Sequence, residues 1–276
     1  MTEEQRYYES EQAMALLTER EYLVVKSNQL VQKNRYELSL QEQKVIAFIC
    51  SMIKPVEPSP ETYGKPFQLE YEFDIREYCR VCGLDYDNGK NYIDIKATLK
   101  GLRDKSMWLT MPDGSESLCG WLSKANVNKQ SGKALIKLDE DLVPYLFDLK
   151  QKFTQYKLMQ VLCMKSAFSI RVYELMKSYA NMRRAVFEID ELKRLLMVQD
   201  VKSYVNFKDF RIKVLETALR EINKYTDLNV SYQTVKKGRK VIRVVFDIVE
   251  KQEPELSQAI NEADWVLSQN YLVHNV

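Results

Sequence analysis

An α+β fold containing the same unit twice is what this sequence predicts, on three observations. From Ser203 to Glu250 a helical period gives way directly to alternation. Phe207, Phe210, Val214, Ala218 and Ile222 fall on one side of a 3.6-residue turn; Val230, Tyr232, Thr234 and then Val241, Arg243, Val245 read as two strands turning at Lys237-Gly238. A helix followed at once by a two-stranded hairpin is the end of a winged-helix unit. The second observation is a repeat at a spacing near 114 residues. Phe73-Asp-Ile-Arg-Glu-Tyr-Cys-Arg80 lines up with Phe187-Glu-Ile-Asp-Glu-Leu-Lys-Arg194 and, with one residue inserted, Asn91-Tyr-Ile-Asp-Ile-Lys96 with Asn206-Phe-Lys-Asp-Phe-Arg211. Third, 276 residues are enough for two domains and too many for one small core. The prediction is two tandem winged-helix domains related by internal duplication.

In chain order, residues 1–21 read as a polar, partly helical arm, and Tyr22 to Val25 as a short strand. Ser39-Leu-Gln-Glu42 is a capping box opening a helix to about Ile53, with Val45, Ile46, Phe48, Ile49 and Met52 on its buried side. Pro55, Pro58 and Pro60 end it in a loop that runs to Pro66. Phe67 to Phe73 alternates as a strand, Asp74 caps a short helix Ile75 to Val81, and a second helix spans about Asn91 to Lys105. Met107–Met111 and Ser117–Leu122 form a hairpin around Pro112-Asp113-Gly114, with a third strand at Ala134–Leu138. Asp139 to Asp141 starts another helix, and Phe153 begins the second cycle with a long helix through Tyr179. Asn206 is a good N-cap for the helix after it, with Asp209 in the first turn where a carboxylate is favoured.

The net charge of +2 hides a pattern. Residues 1–21 carry six acids and two bases, and residues 247–276 six acids and one base, which leaves 38 bases and 27 acids between them. A basic body with acidic ends points to a polyanionic partner. The hairpin tip concentrates this charge: from Leu228 to Phe246 there are five cations (Lys236, Lys237, Arg239, Lys240, Arg243) and no acid, a turn suited to phosphates. No apolar run reaches the roughly 20 residues of a membrane span, and residues 1–21 lack the apolar segment of a signal peptide. Five scattered cysteines fit a reducing, cytoplasmic setting.

Enzyme chemistry finds little footing. The one histidine, His274, stands near the chain end, so neither a paired-histidine metal site nor a Ser-His or Cys-His nucleophile system is available. No Gly-x4-Gly-Lys-Ser/Thr loop exists to cradle nucleotide phosphates. Cys79-x-x-Cys82 lacks two further zinc ligands at workable spacing and reads as two core thiols; Asp139-Glu140-Asp141 reads as a helix start rather than a metal site. No cofactor, metal or catalytic residue is expected.

Three stretches carry a resemblance: Val25-Lys-Ser-Asn-Gln-Leu30 with Leu38-Ser-Leu-Gln-Glu-Gln-Lys44; Phe168-Ser-Ile-Arg-Val-Tyr-Glu-Leu175; and Asp209-Phe-Arg211 with Glu221-Ile-Asn223, Thr226 and Lys236-Lys-Gly-Arg239. In this order, over about residues 22–250, the chain resembles the iteron-binding replication initiators of plasmids, the two-winged-helix Rep proteins. The resemblance implies a non-catalytic protein that binds double-stranded DNA at origin direct repeats and distorts neighbouring duplex. It also implies recruitment of the host initiator and helicase, a monomer–dimer equilibrium, and repression of its own promoter. It divides the chain into an acidic arm (1–21), a first winged helix for dimerisation and secondary DNA contact (22–150), a second as the main DNA-binding domain (151–250) and an acidic tail (251–276).

By the same resemblance Ser203, Tyr204, Asn206, Lys208, Arg211 and Lys213 face bases and flanking phosphates, and Lys236, Lys237, Arg239 and Lys240 hold the wing to the backbone. Where the family often has a denser arginine run, Ile212 intervenes. Arg211 falls near the apolar side of the helix, so it either reaches out from the first turn or pairs with a buried acid. Lys90, Asn91, Tyr92, Lys96 and Lys100 occupy the matching place in the first unit. That unit's hairpin, with Asp113 and Glu116 at its tip, is expected to meet protein. Two alternatives stand beside an initiator: a winged-helix repressor of a mobile element, which binds without melting DNA, and a protein-binding scaffold.

Overall fold

The architecture is that of a computed structural model, which describes residues 20–53, 67–84, 89–147, 149 and 152–272. Most of the expected N-terminal arm, all of the Pro55–Pro66 loop, and His274 lie outside the described residues.

Strand β1 (Leu23–Ser27) leads into helix α1 (Asn28–Gln32), capped by Ser27, whose hydroxyl accepts from the Leu30 amide at 3.1 Å. Helix α2 (Leu40–Met52) carries the expected capping box: Glu42 accepts from the Ser39 amide and Ser39 from the Glu42 amide. It is central rather than half-buried, with every residue from Glu42 to Cys50 out of solvent and Met52 only half-buried. Its polar residues have found partners, as burial requires: Gln43 donates to the carbonyls of Leu38 and Ala167, and Lys44 to that of Leu162.

The first unit continues with β2 (Glu70–Asp74), shorter than the expected strand, and α3 (Ile75–Val81). Asp74 caps α3 by accepting from the amides of Arg76 and Glu77. Helix α4 (Lys90–Asp104) follows, then the expected hairpin of β3 (Ser106–Thr110) and β4 (Glu116–Gly120). An unexpected strand comes next. β5 (Leu122–Asn128) pairs with β6 (Lys133–Leu138), giving a sheet ordered β2-β6-β5. Sequence pattern did not show β5 because it is an edge strand, mostly exposed and largely polar. A 3-10 turn (Glu140–Leu142), capped by Asp139, leads into a short helix α5 (Val143–Leu146) that closes the unit.

The long helix expected from Phe153 to Tyr179 is three elements. β7 (Phe153–Lys157) alternates, with Thr154 and Tyr156 buried, and pairs antiparallel with β1. α6 (Met159–Leu162) and α7 (Ala167–Ser178) follow. Between them Glu221 accepts from the amides of Lys165 and Ser166, and Ser166 caps α7. A division at residues 150/151 therefore separates two paired strands.

The second unit repeats the first: β8 (Arg184–Glu188), α8 (Ile189–Leu195), a helix starting as α9 (Phe207–Phe210) and ending as α10 (Thr217–Tyr225), then β9 (Leu228–Lys237) and β10 (Lys240–Glu250). Its sheet order, β8-β10-β9, is that of β2-β6-β5, and α8 follows α3 at the predicted spacing. The duplicated winged helix is thus present. It also shows that the counterpart of the β9–β10 wing is β5–β6, while β3–β4 is an addition peculiar to the first unit.

The expected acidic tail is for the most part helix α11 (Glu255–Leu272). Ala259, Ala263 and Leu267 are buried along one side, a sparse stripe that the acids on other faces obscured. Buried apolar side chains of both units join in one core. All five cysteines are free and buried; burial pushes the Cys50 thiol up to about 11 and that of Cys82 up to about 12, so both are inert thiols.

Candidate nucleic-acid interface

The site starts at Asn206, whose extended backbone (φ −74°, ψ 119°) and side chain, accepting from the Lys208 amide, cap α9. Phe210, Val214, Ala218 and Ile222 are fully buried. They recur every fourth residue, which in a 3.6-residue helix drifts by about 40° per step. The drift is taken up by a turn of π-helix, Arg211–Glu216, between α9 and α10. Its wider turn keeps the four apolar residues on the core and leaves Lys208, Lys213 and Arg220 facing out.

Arg211 reaches outward. Its side chain is part-exposed and 3.6 Å from an equally accessible partner, Glu216, so the buried-acid alternative does not hold. The wing turns at Gly238, whose φ of +62° is a conformation that side chains resist; nothing crowds a Cβ there, so the need is for backbone shape alone. The register slips by one residue between Val241 and Arg243, and Val244, Phe246 and Ile248 of β10 are fully buried, with Val245 largely so. Arg243 braces the sheet, donating through Nε (2.8 Å) and lying 2.7 Å through Nη2 from Glu188 on β8.

Helix start, wing and α8 enclose an open cleft of about 1110 Å³. Of the expected residues, Asn206, Lys208, Arg211, Lys236, Arg239 and Lys240 line it together. Lys193, Arg194 and Gln199 join them from α8 and the loop after it, and Tyr232, Gln233 and Thr234 form part of the β9 wall. Seven cations against one acid, Asp190, make a concave surface with unbalanced positive charge. Burial, opposed by Asp190 and reinforced by Lys240, lowers the pKa of Lys193, whose ammonium lies 5.6 Å from the centre of the Phe210 ring. Lys193 and Arg194 fall within the repeat, where Asp190 and Glu191 just before them offset their charge in the sequence.

The structure leaves other expected residues outside the cleft. Ser203, Lys213 and Lys237 are exposed and line none of it. Tyr204 is a packing residue, edge-on to Phe168 and Phe210 and turned to a separate groove beside Tyr36 and Arg171. In the first unit Gly89 is the N-cap of α4. Lys90 and Asn91 line a smaller cleft, of about 760 Å³, with Ser39 and Asp94. The Tyr92 hydroxyl is 3.5 Å from the Val127 carbonyl on β5, Lys96 lies over the Tyr92 ring, and Lys100 pairs with Asp104. The corrected wing changes the charge of this unit. From Leu122 to Leu138 there are four lysines (124, 129, 133, 137) and no acid; Lys124 and Lys129 are exposed, while Lys133 pairs with Glu72 at 2.6 Å. The hairpin with Asp113 and Glu116 at its tip is therefore an addition beside this unit's wing rather than the wing itself.

The model of the first winged helix of the initiator replication proteins matches residues 23–177, and that of the second matches residues 188–248. This chain belongs to that family of initiator replication proteins. The first match includes β7 and α7, in keeping with the β1–β7 pairing. A replication initiation protein of Escherichia coli is 27% identical over 235 residues, covering 83% of this chain and 70% of its own. The PI protein of Escherichia coli is 29% identical over 267 residues, covering 83% and 86%. The crystal structure of the Pi initiator protein in complex with iteron DNA superposes with a TM-score of 0.65 at 21% identity, covering 85% of this chain and 99% of that one, a likeness of fold. No helix among the described residues is long and apolar enough to cross a membrane, and no group of three or more His, Cys, Asp or Glu among them could hold a metal ion.

Proposed function

We propose that this initiator starts replication of a plasmid by binding double-stranded origin DNA at direct repeats. The observation that carries the reading is the cleft between the α9 start and the β9–β10 wing, where seven cations converge with one acid. Cations held this close repel one another, and a phosphodiester strand relieves that strain by releasing its own counterions. Asn206, Lys208 and Arg211 stand at the end of the helix that enters the major groove, while Lys236, Arg239 and Lys240 meet the backbone beside it. Ser203, Lys213 and Lys237 flank the contact. The first unit adds a second one through Lys90, Asn91, Lys96 and Lys100 on α4 and through Lys124 and Lys129 on its wing.

The protein works without a catalytic step, in the cytoplasm, by deforming adjacent duplex and offering surfaces to the host initiator and helicase. Self-association uses the additional hairpin. Trp108 and Leu118 are cross-strand partners there and stand 61% and 58% exposed, an apolar pair on the outer face. In the dimer the protein represses its own promoter.

Permanganate probing of a supercoiled origin tests this. An initiator makes thymines beside the repeats reactive in a protein-dependent way, with binding that weakens steeply with salt. Repeat-specific binding with no reactive thymine would leave a repressor of a mobile element instead.

A further inference from the structure

Helix α11 lies beyond the residues matched to the second winged helix, yet it is fastened to both units. On the second unit its Ala259 and Ala263 are buried, small enough for close approach, and Glu262 lies 3.1 Å from Lys224 on α10. On the first unit it reaches the end of α3. There the Leu267 carbonyl sits where a Cβ on Gly83 would come within 2.6 Å, and Gly83 has φ +63°, so two backbones meet at a point no side chain could occupy.

Arg20 completes the fastening. It has no exposed surface; its Nε donates to the Val81 carbonyl at 3.0 Å and its Nη2 to the Arg80 carbonyl at 3.4 Å, supplying partners to the open C-terminus of α3. Its Nη1 donates to Asp264 of α11 at 2.7 Å. One guanidinium thus ties the segment leading into β1, the end of a first-unit helix and helix α11. A charge this well buried needs its acid, since a lone guanidinium out of water is costly.

We infer that α11 is a clasp that sets the placement of the two winged helices relative to each other, with Arg20, Gly83 and Asp264 as positioning residues for DNA reading. The DNA half of this rests on the function proposed above. Two basic surfaces act as one reader only if their separation and rotation match the duplex; a loosened pair binds as two weaker modules.

The test separates the two halves. Nitroxides on Ser131→Cys and Asp200→Cys, exposed positions of different units, report the inter-unit distance without DNA, the five native thiols being buried. Wild type is expected to give one narrow distribution. Asp264→Ala, Gly83→Ala and a chain ending at Gln252 should broaden it, each checked for a folded circular dichroism spectrum. On a full repeat the same variants should keep the second unit's footprint, lose the first unit's, and bind at least about tenfold more weakly. Should the truncated chain fail to fold, the two single substitutions decide. An unchanged distance distribution in folded Asp264→Ala and Gly83→Ala overturns the clasp. A broadened distribution with an unchanged footprint overturns its role in reading. A wild-type protein with no footprint refutes the proposed function, and the distances still judge the clasp.

Discussion

The Lys26 ammonium lies 2.6 Å from the Glu174 carboxylate, and neither side chain is more than a few per cent exposed. The Tyr156 hydroxyl donates to the same carboxylate at 2.5 Å, and Arg171, one turn earlier on α7, covers the Tyr36 ring and donates to the Asn34 carbonyl. Two of the stretches that carried the family resemblance therefore meet in one buried polar knot. They hold β1, β7 and α7 together.

Breaking that knot from one side should be costly. Lys26→Met leaves a buried carboxylate without its cation and is expected to destabilise the fold by about 3–5 kcal/mol. Adding Glu174→Leu should restore much of the loss. Urea unfolding of the two variants checks this; equal losses would show that the pair adds net stability rather than mutual need.

The same pair has a pH signature. Burial works against the Glu174 carboxylate, but Lys26 and the hydrogen bonds from Lys26 and Tyr156 outweigh it and lower the folded pKa. A lowered pKa adds stability above the unfolded value, about 4.3, and that stability is lost as pH falls through the folded value. Glu174→Gln should lie below wild type at neutral pH and lose less on acidification. Denaturant midpoints between about pH 3 and pH 7 would show the curves converging.

On the wing, Lys236→Ala, Arg239→Ala and Lys240→Ala should each reduce the slope of log affinity against log salt by about 0.9. Lys237→Ala, outside the cleft, should reduce it less. Arg243→Ala should leave the slope alone and cost up to about 1 kcal/mol of stability through its lost pair with Glu188. Filter binding at several salt concentrations, with thermal melts, separates these outcomes.

Lys193 and Arg194 belong to the cleft, so Lys193→Ala with Arg194→Ala should weaken binding to all DNA sequences alike, with a slope reduced by up to about 1.8. An unchanged slope would place α8 off the backbone.

If the first unit reads DNA through its own wing, hydroxyl-radical footprints of a monomer on one repeat should show two protected segments about 10 bp apart. Lys124→Ala with Lys129→Ala, or changes at Lys90, Lys96 and Lys100, should remove one segment and spare the other. Changing Asp113 and Glu116 should leave both.

Much of this fold was legible because its local signals are strong. The Ser39 and Asp74 caps, the turn at Gly238 and the four-residue spacing from Phe210 to Ile222 are instructions a chain carries in a few neighbouring residues. What went unread depends on distant partners. β5 is mostly exposed and is a strand because β6 lies beside it; β7 runs into α6 without a break in pattern and is a strand because β1 pairs with it; among its described side chains α11 buries Ala259, Ala263 and Leu267 beside Glu255, Glu262 and Asp264. The cleft was half legible for the same reason. Lys236 to Lys240 announce themselves as a cluster, whereas Lys193 becomes part of it only when α8 packs under the wing, and Tyr204 leaves it because Phe168 and Phe210 capture its ring.

The wide turn at Arg211–Glu216 has one more consequence. It holds a residue more than an α-helix needs between the same two flanks, so one residue can be lost there while Phe210 and Ala218 go on facing the core. Such a deletion would draw Asn206 and Lys208 about 1.5 Å along the axis. A chain one residue shorter there would thus move the exposed cap of this helix by length alone, with Phe210 and Ala218 still on the core.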